Sequence, residues 1–437
     1  MASSRKSKPS PKLAPKATKR IAVAVSGGLD SVVLLDTVCK ASQDNQKIAT
    51  EVWLFHIHHG LQKPADQWLE FCEKLAKKYR IHFDFRLLHF ADKATGNIEA
   101  RARVARYEAL GELCVEHGIE DLLLAHHQND QAETVLLQLL RGSGVAGLSG
   151  MPEDRVQMPD GHSITLWRPL LKQSRADLEA YAKEHKLKWV EDPSNNNTAY
   201  RRNAVRKQII PRLAKIQPDA IANLARSAEL LAQSQKLLDR LALLDGKGIL
   251  KANNLAVKPL MELQQKDLPA ANNLLRYWLK ANGLAMPSQE RLDSWWRDLL
   301  AVRSDAHLEW LHDESSIRLW RGILQVIKER AGQWVWREVP VASKQPGLPA
   351  DWVKQASMQG LIEMRPRLGS EKIQIKPNTP RKTLKNLFQE ANVPPWQRQA
   401  PLLFIADELI AVAGVGLSYP HLKNSGTRVL PEWSENA

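Results

Sequence analysis

Short apolar runs alternate with longer stretches of helical spacing from residue 21 to about residue 190. The first run, residues 21–25, stops at Ser26-Gly27-Gly28. Residues 31–40 then place apolar side chains at the intervals of a helix lying on a core. The alternation continues with strands expected at 51–57, 82–88, 121–125 and 164–167. Helices are expected between them at 68–79, 97–117 and 128–140. Ser174 precedes Arg-Ala-Asp-Leu-Glu, a capping sequence for a helix through residue 185. Strands separated by helices predict an α/β fold, a parallel sheet with helices on both faces.

The pattern changes further on. Residues 218–244 read as one helix, with Leu224, Leu230, Leu231, Leu237, Leu238 and Leu241 on its apolar side. The next 90 or so residues are mainly helical, and Pro340, Pro346 and Pro349 mark a linker. Residues 361–365, 372–375, 402–406 and 409–413 read as short strands in a turn-rich end. The expected organisation is a disordered basic arm (1–20), a catalytic domain (21–215), a linking helix (216–244), a helical domain (245–338), a linker (339–358) and a small α+β C-terminal domain (359–437). Ten of the 14 tryptophans lie at Trp278 or later, where core packing of small domains accounts for them better than RNA stacking.

Composition narrows the function classes. No run of 18 apolar residues exists, so no membrane span is expected. The three cysteines, Cys39, Cys72 and Cys114, have no C-x-x-C spacing, which leaves buried thiols in a reducing, cytoplasmic compartment. The net charge of +14 is clustered: seven basic residues lie within residues 1–20, six within 200–215 and seven within 365–385. The N-terminal arm has no apolar core of a secretory signal. Basic clusters on separate parts of a chain fit a polyanion that touches several domains, and equally fit solvated faces.

Ser26-Gly27-Gly28-Leu29-Asp30-Ser31 sits between the first strand and the first helix. There an α/β sheet presents backbone N–H groups to an anion. The two serines offer hydroxyls to phosphate oxygens, and Asp30 makes sense among phosphates as a ligand of Mg2+. The lysine of a Walker loop and the G-x-G-x-x-G spacing are both absent. A second constellation, His126, Asp130 and Glu133, falls on one face of the helix at 128–140, at the end of a strand where α/β active sites gather. Asp130 and Glu133 suit a metal, and His126 suits proton transfer or phosphate binding. His127 and Asn129 are expected to point elsewhere, and His56, His58 and His59 to line the pocket or cap the strand end.

The segment SGGLDS resembles the pyrophosphate-binding loop of the N-type ATP pyrophosphatases, the PP-loop superfamily. His56-Ile-His-His-Gly-Leu61, Asn97 through Tyr107, Ala125-His-His-Gln-Asn-Asp-Gln-Ala-Glu-Thr134, Arg141-Gly-Ser-Gly144 and Trp189-Val-Glu-Asp-Pro-Ser-Asn195 resemble the tRNA(Ile)-lysidine synthetase branch of it. Leu387-Phe-Gln-Glu, Val393-Pro-Pro-Trp396 and Gly414-Val-Gly416 resemble that family's small C-terminal domain. The middle of the chain matches only in length and helical character. Many relatives carry two acids where this chain reads Asn129-Asp130; Asp130 is expected to be the needed acid because it shares the face of His126 and Glu133.

The resemblance implies a ligase that converts the wobble cytidine of a CAU-anticodon tRNA(Ile) to lysidine with ATP, Mg2+ and L-lysine. It implies an adenylated cytidine intermediate and release of AMP and diphosphate. The implied roles are ATP binding by Ser26, Gly27, Gly28, Leu29, Asp30 and Ser31, and metal binding by Asp30 and Asp130. Arg106, His126, Asp130 and Glu133 become the catalytic candidates, with Arg106 on phosphate or developing charge. Arg201, Arg202, Arg206, Lys382 and Lys385 become the tRNA contacts. The competing readings are RNA thiolation, which normally calls on cysteine pairs, and a non-catalytic RNA-binding protein. The oligomeric state stays open, a homodimer included.

Overall fold

The computed structural model describes residues 18–44, 49–58, 65–88, 98–193, 197–302, 308–327 and 332–434. Most of the basic arm, together with His59, Asn97, Ser194 and Asn195, lies outside the described residues. The chain divides into two compact units, Met1–Leu238 and Asp239–Ala437.

The first unit is the expected α/β domain. Its strands are β1 (Thr18–Ala24), β2 (Ala49–His58), β3 (His82–Leu87), β4 (Asp121–Leu123), β5 (Asp154–Gln157) and β6 (Ile164–Trp167), in the sheet order β3-β2-β1-β4-β6-β5. All neighbours are parallel except β5, which runs antiparallel to β6 at one edge. That edge strand was not legible in sequence, because Asp-Arg-Val-Gln offers almost no apolar face. The helices are α1 (Leu29–Asp44), α2 (Ala65–Tyr79), α3 (Ile98–Glu116), α4 (Gln128–Leu139), the short α5 (Val145–Leu148) and α6 (Arg175–Glu184).

Alternation along the strands builds a core on each face of the sheet. Val23 and Leu54 point to one side and pack with Val32 and Leu35 of α1, Cys72 of α2 and Leu178 of α6. Ala22 and Phe55 point to the other side and pack with Leu110, Leu113 and Cys114 of α3. Connectivity runs outward in one direction from β1 through β2 to β3, and in the other from β4 to β6. The crevice at the C-terminal ends of β1 and β4 is therefore the topological switch point, where ligands of such sheets bind. In register, Val23 lies opposite Leu123, so the loops leaving these strands emerge side by side. Beyond α6 come α7 (Arg201–Ala204), one π turn (Val205–Ile209), α8 (Ile210–Ile216) and the long α9 (Ala220–Asp245), which contains the boundary between the units.

The second unit begins with α10 (Val257–Lys266), α11 (Leu268–Ala281) and α12 (Gln289–Ala301), the expected helical part. A five-stranded antiparallel sheet accompanies them, built from Leu250–Lys251, Asn254–Ala256, Glu309–His312, Ser315–Trp320 and Ile323–Ile327. Trp278, Trp295, Trp296 and Trp310 are buried in the core between helices and sheet. Their position favours the packing account of the tryptophans. The indole N–H groups of Trp278, Trp296 and Trp310 reach the Asn253 carbonyl, Asn272 and Asp298 at 2.7, 2.7 and 2.9 Å.

Residues 339–358, expected as a linker, instead contain the helix Ala350–Met358, whose Val353 and Ala356 are buried with Leu348, Ile405 and Ile410. The strand Gln333–Val339 pairs antiparallel with Arg428–Ser434, so the end of the chain folds back on the segment before it. Among the described residues, no helix is long and apolar enough to cross a membrane.

Candidate active site

The loop after β1 is built as its sequence requires. Gly27 has φ +89°, and a Cβ there would lie 2.8 Å from Val190 Cγ2. Its carbonyl accepts from the Val190 N–H at 3.0 Å, so glycine is needed for both conformation and space. Ser31 donates its hydroxyl to the Gly28 carbonyl at 2.9 Å, and Ser26 Oγ accepts from the Gly28 N–H at 3.3 Å. Leu29 is buried and anchors the turn, while Asp30 occupies the first turn of α1. The six candidate residues thus form one cradle at the mouth of the switch-point crevice.

The loop after β4 supplies the second half. His127 is the N-cap of α4: its Nδ1 accepts from the Asn129 N–H at 3.2 Å, and Asp130 reaches back to the His127 N–H at 3.1 Å. The expectation that His127 points elsewhere is corrected. Its ring is buried, with Nε2 3.7 Å from Asp30 and 3.5 Å from Asp130. Asn129 is not at the acidic cluster. Its Oδ1 accepts from the Arg175 N–H at 3.0 Å and ties the start of α6 to the start of α4.

Asp130 and Glu133 share the buried face of α4, Glu133 with only 1% of its surface exposed. Two carboxylates out of water need counter-charges. Arg202 supplies one, its Nε donating to Glu133 at 2.7 Å and its Nη2 to Asp130 at 2.9 Å. Arg206, one turn later within the π turn, donates to Glu133 at 2.6 and 3.0 Å and lies 3.4 Å from Asp130. These two arginines were expected on an RNA-facing surface; they turn inward because the carboxylates would otherwise be buried and unpaired. Arg201 is exposed. Burial opposes the charge on Asp130, yet His127 and Arg202 hold its carboxyl below the ordinary range. For Arg202 and Arg206 burial is likewise outweighed by the acids, and both pKa values rise.

His126 lies just before the cap, outside α4, so it does not continue the helical face of Asp130 and Glu133. Burial, aided by Arg168, Arg202 and Arg106, pushes its pKa down to about 3 despite the pull of Asp130. Its ring is neutral at physiological pH. Arg106 packs over the Tyr107 ring, 5.6 Å from the centroid, and ion-pairs with no carboxylate among the described residues. Burial lowers its pKa. Sequence reasoning missed Arg168, buried beside this group with Nη1 on the Pro152 carbonyl at 2.8 Å. It also missed Arg175, whose Nη1 lies 3.0 Å from both oxygens of Asp30.

His56 is buried with Nδ1 2.8 Å from the Val25 carbonyl, and His58 faces Asp66 at 3.0 Å, so both brace the ends of strands. The three cysteines are buried, and burial raises Cys39 to about 11 and Cys72 and Cys114 to about 12. Such thiols are poor nucleophiles, which weighs against sulfur transfer. In the second unit, Lys385 is exposed, whereas Lys382 is held by Glu390 at 2.7 and 3.0 Å.

Comparison with known proteins adds to this geometry. Residues 2–213 match the PP-loop domain, 259–325 the TilS substrate binding domain and 362–432 the TilS substrate C-terminal domain. A tRNA(Ile)-lysidine synthase of Ralstonia nicotianae is 38% identical, over 91% of this chain and 88% of its own.

The chain belongs to the tRNA(Ile)-lysidine synthase family.

Two further members, from Burkholderia pseudomallei and Nitrosomonas europaea, are each 36% identical over 91% of this chain and 89% and 88% of theirs. This chain is therefore an enzyme with an ATP-binding PP-loop domain, and it carries both substrate domains of the lysidine synthase family. Asp30 and Asp130 stand on either side of the His127 ring, their oxygens 3.7 and 3.5 Å from its Nε2.

Proposed function

We propose that this enzyme joins L-lysine to the wobble cytidine of a CAU-anticodon tRNA(Ile) at the expense of ATP. One observation carries the reading: the loop of residues 26–31 and the acidic cluster of Asp130 and Glu133 open together at the switch point of the sheet. In the first step the cytidine O2 attacks the α phosphorus, the bond to the bridging oxygen breaks, and pyrophosphate leaves. In the second the lysine ε-amine attacks C2, AMP departs with the oxygen, and the amine loses its proton to solvent.

The chain's contribution is positioning and charge. Ser26, Ser31 and the N–H groups around Gly27 and Gly28 hold phosphate oxygens. Asp30 and Asp130 would hold Mg2+, which when bound neutralises and orients those oxygens. Arg106, which pairs with no carboxylate among the described residues, faces the negative charge that builds in the transition state. His126 is too weakly basic to accept a proton at neutral pH. The exposed basic residues Arg201 and Lys385 contact tRNA phosphates, and the target base is unstacked to reach the crevice.

The test is incubation with ATP, labelled lysine and a CAU-anticodon tRNA, followed by nucleoside analysis. Lysidine with equimolar AMP and pyrophosphate is expected. Pyrophosphate release without tRNA would instead indicate a small-molecule ligase.

A further inference from the structure

We propose that Arg175 is a phosphate-binding residue of the nucleotide site, held against Asp30 until nucleotide arrives, and that Asn129 positions it. The proposal rests on the ATP reading given above.

Arg175 opens α6, and its guanidinium spans from Asp30 to Glu179, 3.0 Å from each. Asp30 belongs to the phosphate loop, so Arg175 already stands at the place where a polyphosphate must lie. A bare carboxylate there repels phosphate. Asp30 would lose that repulsion on binding a cation, and Arg175 would then be freed from it beside the incoming phosphates.

Arg175 is better suited to this exchange than the other arginines of the site. Arg202 and Arg206 each bridge both Asp130 and Glu133, and leaving would strand buried charges. The Arg175 side chain is 40% exposed and its partners Asp30 and Glu179 are 28% and 57% exposed, so its ion pairs are weakly held and solvent can cover each group as it changes partner. A planar fork of N–H donors matches phosphate as well as carboxylate.

The backbone beneath it is fixed. The Arg175 N–H donates to Asn129 Oδ1 at 3.0 Å, and the Gln128 N–H donates to the Gln173 carbonyl at 2.9 Å. The Ser174 hydroxyl caps α6 by accepting from the Asp177 N–H at 3.1 Å. Only the side chain needs to move. Asn129 thereby has a defined task that does not involve the metal: it sets the start of α6, and with it the point from which Arg175 reaches.

The experiment uses the full chain and compares wild type with Arg175→Gln, Arg175→Lys, Asn129→Ala and Asn129→Asp. Binding of ATP and of pyrophosphate, each with Mg2+, is titrated, and KM for ATP and kcat are measured with tRNA. The two ligands separate recognition of the substrate from recognition of the leaving group. Arg175→Gln should weaken at least one of them roughly tenfold, with Arg175→Lys intermediate. Asn129→Ala should raise KM for ATP with little change in kcat, and Asn129→Asp, which keeps an acceptor, should restore it. Binding of both ligands by Arg175→Gln within about twofold of wild type overturns the phosphate role, as does a wild-type chain that binds neither. Should Arg175→Gln fail to fold, unchanged binding in Arg175→Lys overturns it, because a lysine cannot reproduce the fork. An unchanged KM in Asn129→Ala overturns the positioning role. A wild type that binds pyrophosphate but makes no lysidine strikes the functional reading and leaves the binding comparison intact.

Discussion

Arg202 donates through Nε to Glu133 at 2.7 Å across 69 residues of sequence, and so fastens α7 to α4 over the floor of the crevice. Glu133 is 1% exposed, and Arg202 and Arg206 both donate to it. Glu133→Ala should therefore lower stability by about 3 kcal/mol, since it leaves Asp130 alone to balance two guanidinium groups. Denaturant unfolding measures this, and an unchanged midpoint would show that the pair is dispensable.

Loss of charge without loss of shape separates chemistry from stability. Asp130→Asn and Glu133→Gln should each reduce tRNA-dependent pyrophosphate release more than Asn129→Ala does, because Asn129 faces α6 and not the acidic cluster. If Asn129→Ala is the most damaging of the three, the assignment of roles along α4 is wrong.

Asp30→Ala removes a carboxylate at the mouth of the phosphate loop. Turnover should fall about thirtyfold or more, corresponding to about 2 kcal/mol of lost transition-state stabilisation. Activity within about threefold of wild type, roughly 0.7 kcal/mol, would contradict a role for Asp30 in the reaction.

The buried neutral His126 makes stability depend on pH. Its folded pKa, about 3, lies below the ordinary histidine value, so the unfolded chain binds more protons as pH falls below about 6.5. Stability from this group is complete above that pH and is lost progressively toward pH 3. Between pH 6.5 and 5 the loss should be about 1.6 kcal/mol. Denaturation curves at the two pH values should show it in wild type, and His126→Gln should flatten the difference.

The exposed basic residues of the second unit should act through salt-dependent binding. Replacing Arg381 and Lys385 with Glu should weaken tRNA binding and reduce the salt slope by about 0.7–0.9 per lost phosphate contact. The same change at Lys382 should do less, because Glu390 already neutralises it. Equal salt slopes for wild type and the double variant would make this cluster a solvated face.

Arg428 offers a test of folding within the second unit. It is 1% exposed, and its guanidinium donates to the carbonyls of Gln345, Ser343, Asn424 and Gly426 at 2.8–3.0 Å. Arg428→Met should cost about 2–4 kcal/mol, by leaving those carbonyls unpaired, and thermal unfolding would register it.

Periodicity alone located the α/β domain, since strands buried on both faces appear as short apolar runs and covering helices as amphipathic ones. Ser26 to Ser31, Asp130 and Glu133 stood out in the sequence as candidates because glycine, hydroxyl and carboxylate follow the ends of strands there. The polar edge strand Asp154–Gln157 was not legible, because an edge need bury little. The linker marked by three prolines conceals a helix held by long-range contacts with Ile405 and Ile410, which local sequence does not encode. The arginines show the division most plainly. Sequence placed Arg202 and Arg206 among basic residues fit for RNA, and passed over Arg175 as the first residue of a capped helix. Only the fold, by burying Glu133 and by setting the start of α6 beside Asp30, decided which cations must neutralise the site and which one stands ready to exchange its partner. Charge is written in the sequence, but the cost of burying it depends on what the chain brings near from far away.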